Sequence, residues 1–353
     1  MSAATANSGS ITVADLDNYP DIIDARSEGE FAEDFIPGAV NHPVLNNEER
    51  ARVGTLNNAA SAFEAKRMGA ALVARNIAVM LEQHFADKPR DWAPLIYCWR
   101  GGKRSRSLML VLREIGFKAV QLEGGYKAYR ARVATELTKL PKQFRYVTIC
   151  GCTGTGKTAL LHALRDAGAQ VIDLEGLANH KGSLLGESVT APQPTQKRFD
   201  SSLWAQLRAL DPSRPVFVES ESKKIGLVQM PESMREQMAA GVCVWLDVPV
   251  AARVLHLRGE YEHFVADPTL LMTKLVPLKA LRGGEMLERW QALASAGNID
   301  GVVESLLVDH YDPLYTTAIK RNYPGLGSAR HVAIDSLTPD ALHRAAEALI
   351  AVQ

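Results

Sequence analysis

"RYVTICGCTGTGKTALLHALRDAG", Arg145 to Gly168, is the stretch that decides the fold. "RYVTIC" reads as a strand, and "KTALLHALRDAG" as a helix with leucines on one side and glycine at its end. Between them "GCTGTGKT", Gly151 to Thr158, fits G-x-x-x-x-G-K-[ST] without a mismatch. Strand, glycine-rich loop and helix in that order make a phosphate-binding loop. Gly151, Thr153, Gly154, Thr155 and Gly156 let successive N–H groups face phosphate oxygens. Lys157 neutralises one of those oxygens, and Thr158 offers a hydroxyl to Mg²⁺, a candidate ion for the site. Cys152 reads as a small filler residue. The loop recognises phosphate and not a base, and no N-K-x-D guanine reader follows. An acid at a strand end would serve the metal. Asp173 ends "AQVIDL", Glu219 and Glu221 follow "RPVFV", and Asp247 ends "VCVWLD". Glu219 and Glu221 are preferred, since most acids at such ends are caps. No metal-ligand set is certain. "GLANHKGSLLG" after Asp173 is either a substrate loop or a surface loop.

Outward from this motif, short apolar strands alternate with helices on both sides. Upstream, "DIIDAR", "APLIYC" and "KAVQL" read as strands. "SAFEAKRMGAALVARNIAVMLEQHF", "SRSLMLVLREIGF" and "EGGYKAYRARV" read as helical, the second ended by Gly116. Downstream, "RPVFVES", "VCVWLDV" and "HVAI" add strands. This alternation predicts two doubly wound parallel α/β domains. The charged, proline-containing stretch around Pro141 places a linker at 138–146, between domains at 11–137 and 147–353. The chain has 353 residues with 46% hydrophobic content, enough for two cores. Lys plus Arg and Asp plus Glu are 40 each, which excludes a generally basic nucleic-acid coat but not a local basic track. Four cysteines, with no CxxC spacing, are no disulfide framework. The polar N-terminus and the lack of long apolar runs predict a cytoplasmic protein with no membrane partner.

"YCWRGGKRSRS", Tyr97 to Ser107, places Cys98 at a strand end before a helix. Two glycines let the loop curl into an anion-binding nest, and the helix adds its positive N-terminus. Arg100, Lys103, Arg104 and Arg106 add charge, and Arg104 returns six positions after the cysteine. These features favour thiolate over thiol and make Cys98 a candidate nucleophile. The competing reading is an inert cysteine closing a buried strand.

"IIDARSEGEF", "FIPGAVNHPV", "YCWRGGKRS" and "QLEGGYKAYR" resemble the rhodanese domain in order and spacing, over residues 11 to 137. That resemblance implies that Cys98 carries a persulfide or its selenium analogue, and that Asp24 and Arg26 are structural. The loop is one residue longer than the common rhodanese form and is similar to that of rhodanese-related cell-cycle phosphatases. A tetrahedral anion larger than thiosulfate is therefore expected.

With "GCTGTGKT", "VIDLEGLANHKGSLLG" and "ESESKKIG" added, the chain resembles the tRNA 2-selenouridine synthase family from about residue 11 onward. The resemblance implies a transferase that exchanges the sulfur of wobble 2-thiouridine in tRNA for selenium from selenophosphate. It also implies an S-geranyl-2-thiouridine intermediate made from geranyl diphosphate. Cys98 would form an S-selanyl adduct. Arg100, Gly101, Gly102, Lys103 and Arg104 would bind selenophosphate, and the loop at Lys157 would bind the prenyl donor's diphosphate. An enzyme that supplies selenophosphate is a candidate partner. In a neutral chain, tRNA needs local tracks: Arg100 to Arg106, Lys197–Arg198–Phe199, Lys223–Lys224, or Lys274 with Lys279 and Arg282. Phe199 or Trp99 is placed to stack on an unpaired base. Two rival readings remain. One is a rhodanese-type sulfurtransferase or phosphatase fused to an ATP-dependent kinase acting on a small molecule. The other is a nucleotide-binding regulator with a sensor half.

Overall fold

"IID" and "LIY" are buried at every position and therefore show no polar alternation, as expected for strands covered on both faces. They are β2 (Ile22–Asp24) and β4 (Leu95–Tyr97) of a five-stranded sheet with β1 (Ser10–Ile11), β3 (Ala39–Asn41) and β5 (Val120–Leu122). The order is β1-β5-β4-β2-β3, and every neighbouring pair is parallel. The computed structural model describes residues 9–59, 61–183, 185–188 and 191–352. Helices α1 (Glu28–Glu33), α2 (Asn47–Ala59), α3 (Ala62–Gln83), α4 (Lys103–Ile115) and α5 (Gly125–Glu136) complete this part. Ser61 caps α3 by accepting the Glu64 N–H, and Gly116 ends α4 in the left-handed region. Ile23 and Ile96 pack with Ile77 and Met80 of α3 and with Leu108 and Leu112 of α4.

The second sheet contains β6 (Tyr146–Cys150), β7 (Gln170–Ile172), β8 (Val216–Glu219), β11 (Val242–Asp247) and β12 (Arg330–Ala333). An antiparallel ribbon of β9 (Lys224–Ile225) and β10 (Val228–Gln229) stands apart. The sheet order is β12-β11-β6-β8-β7, all parallel. Its helices begin with α6 (Lys157–Asp166), α7 (Leu174–Ala178), α9 (Glu232–Ala240) and α10 (Val250–Glu260), while α8 (Gln196–Ala209) falls between α7 and α9 in the chain. Val147 and Ile149 face Leu160, Leu161 and Leu164 of α6 and the helix Pro339–Ile350. The residue between them, Thr148, bonds the Met238 carbonyl of α9 on the opposite face at 3.0 Å. The sheet is thus covered on both sides, as the alternation predicted.

Two expectations about domain limits need correction. The chain divides into one unit ending at Leu137 that also includes Pro194–Ala205, and a second made of Thr138–Gln193 and Gln206 onward. The stretch expected as a 138–146 linker is the entry to the second unit: Pro141 and Phe144 are buried, and β6 begins at Tyr146. The expected continuous domain 147–353 is also interrupted. Ser201 donates to Asp34 at 2.9 Å, Arg130 bonds Asp200 at 2.9 Å, and Phe199 is fully buried. A return of this kind depends on contacts distant in sequence, which periodicity does not record. A helical region from Val250 to Asn322 was also missed. Its own core includes Phe264, Leu271, Leu275, Trp290, Val302 and Leu306.

Candidate active sites

Cys98 follows β4, and its side chain is 3% exposed. The Gly102 N–H points at its sulfur at 3.2 Å, and the Ser105 hydroxyl at 3.1 Å. Gln121 donates to Ser105 Oγ at 2.7 Å and to the Gly102 carbonyl at 3.0 Å. Because Ser105 Oγ already accepts from Gln121, its hydrogen is available to the sulfur. Neither Ser105 nor Gln121 was anticipated. The available signal was their polarity inside a buried helix face and a buried strand.

The loop is closed from behind by α5. Tyr126 N–H donates to the Cys98 carbonyl at 2.8 Å, and Lys127 N–H to the Trp99 carbonyl at 3.0 Å. A Cβ on Gly125, whose φ is +56°, would lie 2.2 Å from the Cys98 carbonyl oxygen, so only glycine fits. Asp24 and Arg26 lie at the floor, both buried, joined through Arg26 Nε at 3.0 Å and Nη2 at 2.6 Å. Arg26 also donates to the Asp34 carbonyl and lies 3.9 Å from the Tyr126 ring centre. Burial opposes its charge, but Asp24 holds the guanidinium above its ordinary value.

Of the expected anion ligands, Arg100 and Lys103 are exposed and make no ion pair among the described residues. Arg104 instead forks onto Glu30, with Nη1–Oε2 at 2.6 Å and Nη2–Oε1 at 3.2 Å. Burial raises the Glu30 carboxyl, but Arg104, the Ser27 N–H and Arg50 together hold it below the usual range. The other basic tracks are largely engaged. Lys197 pairs with Glu33, Arg198 covers the Phe35 ring, Lys223 pairs with Glu232, Lys274 with Glu187, and Arg282 bonds His310. The expectation that Phe199 stacks on a base is corrected, because its side chain is fully buried. Trp99 is half-buried with its ring 5.4 Å from Tyr126.

In the second unit the phosphate loop joins β6 to α6. Lys157 Nζ donates to the Gly151 carbonyl at 3.0 Å, and the Gly151 N–H is taken by the Tyr315 hydroxyl at 3.1 Å. Burial opposes the ammonium, yet Tyr315, Glu175, Glu221 and Glu219 hold Lys157 above its ordinary value. Thr158 donates to Glu175 at 2.8 Å, and the Glu175 N–H donates to Glu219 at 2.8 Å. Glu219 is fully buried, and its Oε2 has no hydrogen-bond partner. Burial, with Asp173 and Glu175 nearby, pushes its carboxyl well above the usual range. Burial and Glu175 push Glu221 up to about 8. Thr155 is turned inward, its hydroxyl on the Cys152 carbonyl at 2.8 Å. Burial and Asp312 push the Cys152 thiol up, in keeping with a filler role.

Glu219 and Glu221 thus gather at the loop with Glu175, which was not anticipated although it lies inside "VIDLEGLANHKGSLLG". Asp173 serves as the cap of α7 and partner of His162, and Asp247 bonds His331. Arg253 was also missed. It is buried, clamps Asp312 at 2.8 and 2.6 Å, and donates to the Thr153 carbonyl at 2.9 Å, fixing the loop's outer edge. A cavity of about 330 Å³ opens over Gly154, Gly156, Lys157, Thr158, Glu175 and Glu221. Lys181, Gly182 and Ser183 of the glycine-rich loop line it, which favours the substrate-loop reading over a plain surface loop. Leu184 of that loop lies outside the described residues.

A rhodanese-like domain model matches residues 12–132, and the model of the tRNA 2-selenouridine synthase AAA domain matches 144–270. Among curated proteins, a tRNA 2-selenouridine synthase of Sulfurovum sp. is 33% identical over 335 residues, 87% of this chain and 90% of that protein. One from Shewanella halifaxensis is 31% identical, covering 91% and 96%. The match to the Nitrosomonas europaea protein of that name is 35% identical over 68% of this chain, and spans 63% of that protein's length.

Proposed function

We propose, from the premise that the chain belongs to the tRNA 2-selenouridine synthase family, that it replaces the sulfur of wobble 2-thiouridine in tRNA with selenium from selenophosphate. The observation that carries this reading is Cys98, its sulfur met by the Gly102 N–H and the Ser105 hydroxyl inside a basic loop.

A thiocarbonyl sulfur is a poor leaving group, so alkylation precedes exchange. The sulfur attacks C1 of geranyl diphosphate and the C–O bond breaks. Its electron pair leaves with diphosphate, and the N3 proton of the pyrimidine is lost. Lys157 and the loop N–H groups stabilise the departing charge. Thr158 and Glu175 would hold a Mg²⁺, which would neutralise part of the charge developing on the diphosphate. No cluster of three or more metal-ligating side chains is assembled among the described residues.

The exchange step balances as follows: water takes the phosphoryl group of selenophosphate, selenide adds at C2, and thiogeraniol leaves. Cys98 is placed at the selenium transfer, with Arg100 and Lys103 as the cations free to meet phosphate, and Arg104 able to do so by leaving Glu30. An S-selanyl adduct on Cys98 stands two electrons above the selenium of selenophosphate, so forming it requires a two-electron oxidant and releasing selenide from it a thiol reductant; the exchange as balanced above needs neither. Four free cysteines suit a reducing cytosol, the compartment proposed for it. No helix among the described residues is long and apolar enough to cross a membrane.

Incubation with 2-thiouridine tRNA, geranyl diphosphate and selenophosphate, without nucleotide, tests the scheme by nucleoside mass spectrometry. Cys98→Ser should accumulate the S-geranyl nucleoside. Lys157→Ala should slow geranylation by about two to three decades, roughly 2–4 kcal/mol, and leave 2-thiouridine. A strict ATP requirement, or the same product from both variants, would restore the kinase reading.

A further inference from the structure

The cavity over Lys157 does not end at the phosphate loop. A second, apolar slot begins where it stops, and Thr153, Ser183, Leu257 and Tyr261 line both. The slot runs into the helical region, with walls that include Phe264, Leu271, Ile299, Val303 and Leu306. We infer that this slot holds the hydrocarbon tail of a short prenyl diphosphate and selects its chain length. The inference rests on the diphosphate role given to Lys157 above.

Three observations carry it. The slot and the phosphate loop are in direct contact: a Cβ on Gly154, whose φ is +80°, would lie 2.9 Å from Leu257 Cδ1. A ligand gripped by the loop N–H groups therefore has its next atoms beside Leu257. Second, the slot's described lining is mainly aliphatic and aromatic, its polar groups being the Arg258 guanidinium and the hydroxyls of Thr153, Ser183, Tyr261 and Tyr311. The wall toward the helical region, from Phe264 and Val265 to Leu306 and Leu307, offers the polar edge of a nucleotide base no hydrogen-bond partner, and buried polar groups left unpaired are strongly disfavoured. A hydrocarbon loses nothing there. Third, the slot is small, about 50 Å³. On the measure by which one water needs about 10–15 Å³, it admits a handful of methyl-sized groups, about one isoprene unit. One unit in the slot and one across the shared mouth describe a ten-carbon tail. A five-carbon tail stops at the mouth, and a fifteen-carbon tail overfills the slot. Val303, half-buried on the helix Ile299–Ser305, lines this wall and packs against the edge of the helical region's core.

The test is calorimetric titration of the full chain with inorganic pyrophosphate and with dimethylallyl, geranyl and farnesyl diphosphates. Each buried methylene contributes about fourfold in affinity, so the five further carbons of geranyl should make it bind on the order of 1,000-fold tighter than dimethylallyl. Val303→Phe fills the slot and should bring geranyl diphosphate down to the pyrophosphate level, with pyrophosphate itself unchanged. Val303→Ala should improve farnesyl diphosphate relative to geranyl by about tenfold. Equal binding of geranyl diphosphate and pyrophosphate by the native chain overturns the slot. So does an unchanged chain-length order in Val303→Ala, or ATP affinity that falls with Val303→Phe, which would put a base there. Pyrophosphate that fails to bind, or binds equally to Lys157→Ala, defeats the diphosphate reading itself and is separable from those results.

Discussion

Cys98 illustrates how one side chain acquires a role through its neighbours. The thiol alone is ordinary. What distinguishes it is a backbone N–H and a serine hydroxyl aimed at its sulfur, with Gln121 turning that hydroxyl the right way. Negative sulfur gains more from such donors than neutral sulfur does. Ser105→Ala removes one donor and leaves the Gly102 N–H. Loss of a hydrogen bond to a charged acceptor is worth about 1.5–3 kcal/mol, and sulfur lies at the weak end. Alkylation of Cys98 by iodoacetamide at neutral pH should slow about tenfold, read by mass spectrometry of the labelled peptide. An unchanged rate would remove Ser105 from the site. Arg104 shows the converse: its position six residues on fitted an anion ligand, but the fold presents it with Glu30 first.

The elements that carry the cysteine loop are held by a buried charge pair. Asp24 ends β2, and Arg26 reaches from it to the Asp34 carbonyl after α1 and to the Tyr126 ring of α5. Three elements converge on one guanidinium with nowhere else to place its charge. Removing one partner of such a pair leaves the other charged and unsolvated, at about 3–5 kcal/mol. Asp24→Ala should therefore shift the urea unfolding transition of the first unit by that amount, followed by far-UV circular dichroism. Replacing both residues with apolar ones should recover much of the loss. A shift under about 1 kcal/mol for the single variant would show that water reaches the guanidinium. "IIDAR" revealed the strand, and the rhodanese resemblance implied a structural role for Asp24 and Arg26, but not that they pair or that three elements rest on them.

The molecule as a whole is electrically neutral, yet its second unit concentrates acids around the lysine of its phosphate loop. Glu219, Glu221 and Glu175 surround Lys157, and two of them bind protons far above the ordinary range. The same arrangement makes stability depend on pH. Glu221 is raised from about 4.5 to about 8 by burial and Glu175, so the folded chain holds a proton that the unfolded chain releases. That contribution is complete below about pH 4.5 and is lost as pH rises through about 8. Between these limits, the native chain should lose thermal stability relative to Glu221→Gln, whose amide does not titrate. A pH-independent difference between the two melting temperatures would refute the assignment.

Residues close together in sequence determined the local chemistry. The loop from Gly151 to Thr158, the loop from Cys98 to Arg104 and the strands and helices beside them were legible because each is built by near neighbours. Backbone N–H groups, glycine conformations and helix starts depend on a few consecutive residues. Tertiary structure decided what those loops meet. It gave Arg104 to Glu30, buried Phe199, brought Glu175 and Arg253 to the phosphate loop, and returned Pro194–Ala205 to the first unit. It also placed an apolar slot of the helical region against the phosphate loop. These outcomes rest on packing between segments tens of residues apart. Their free energy depends on which surfaces exclude water together, and no spacing along the chain encodes that.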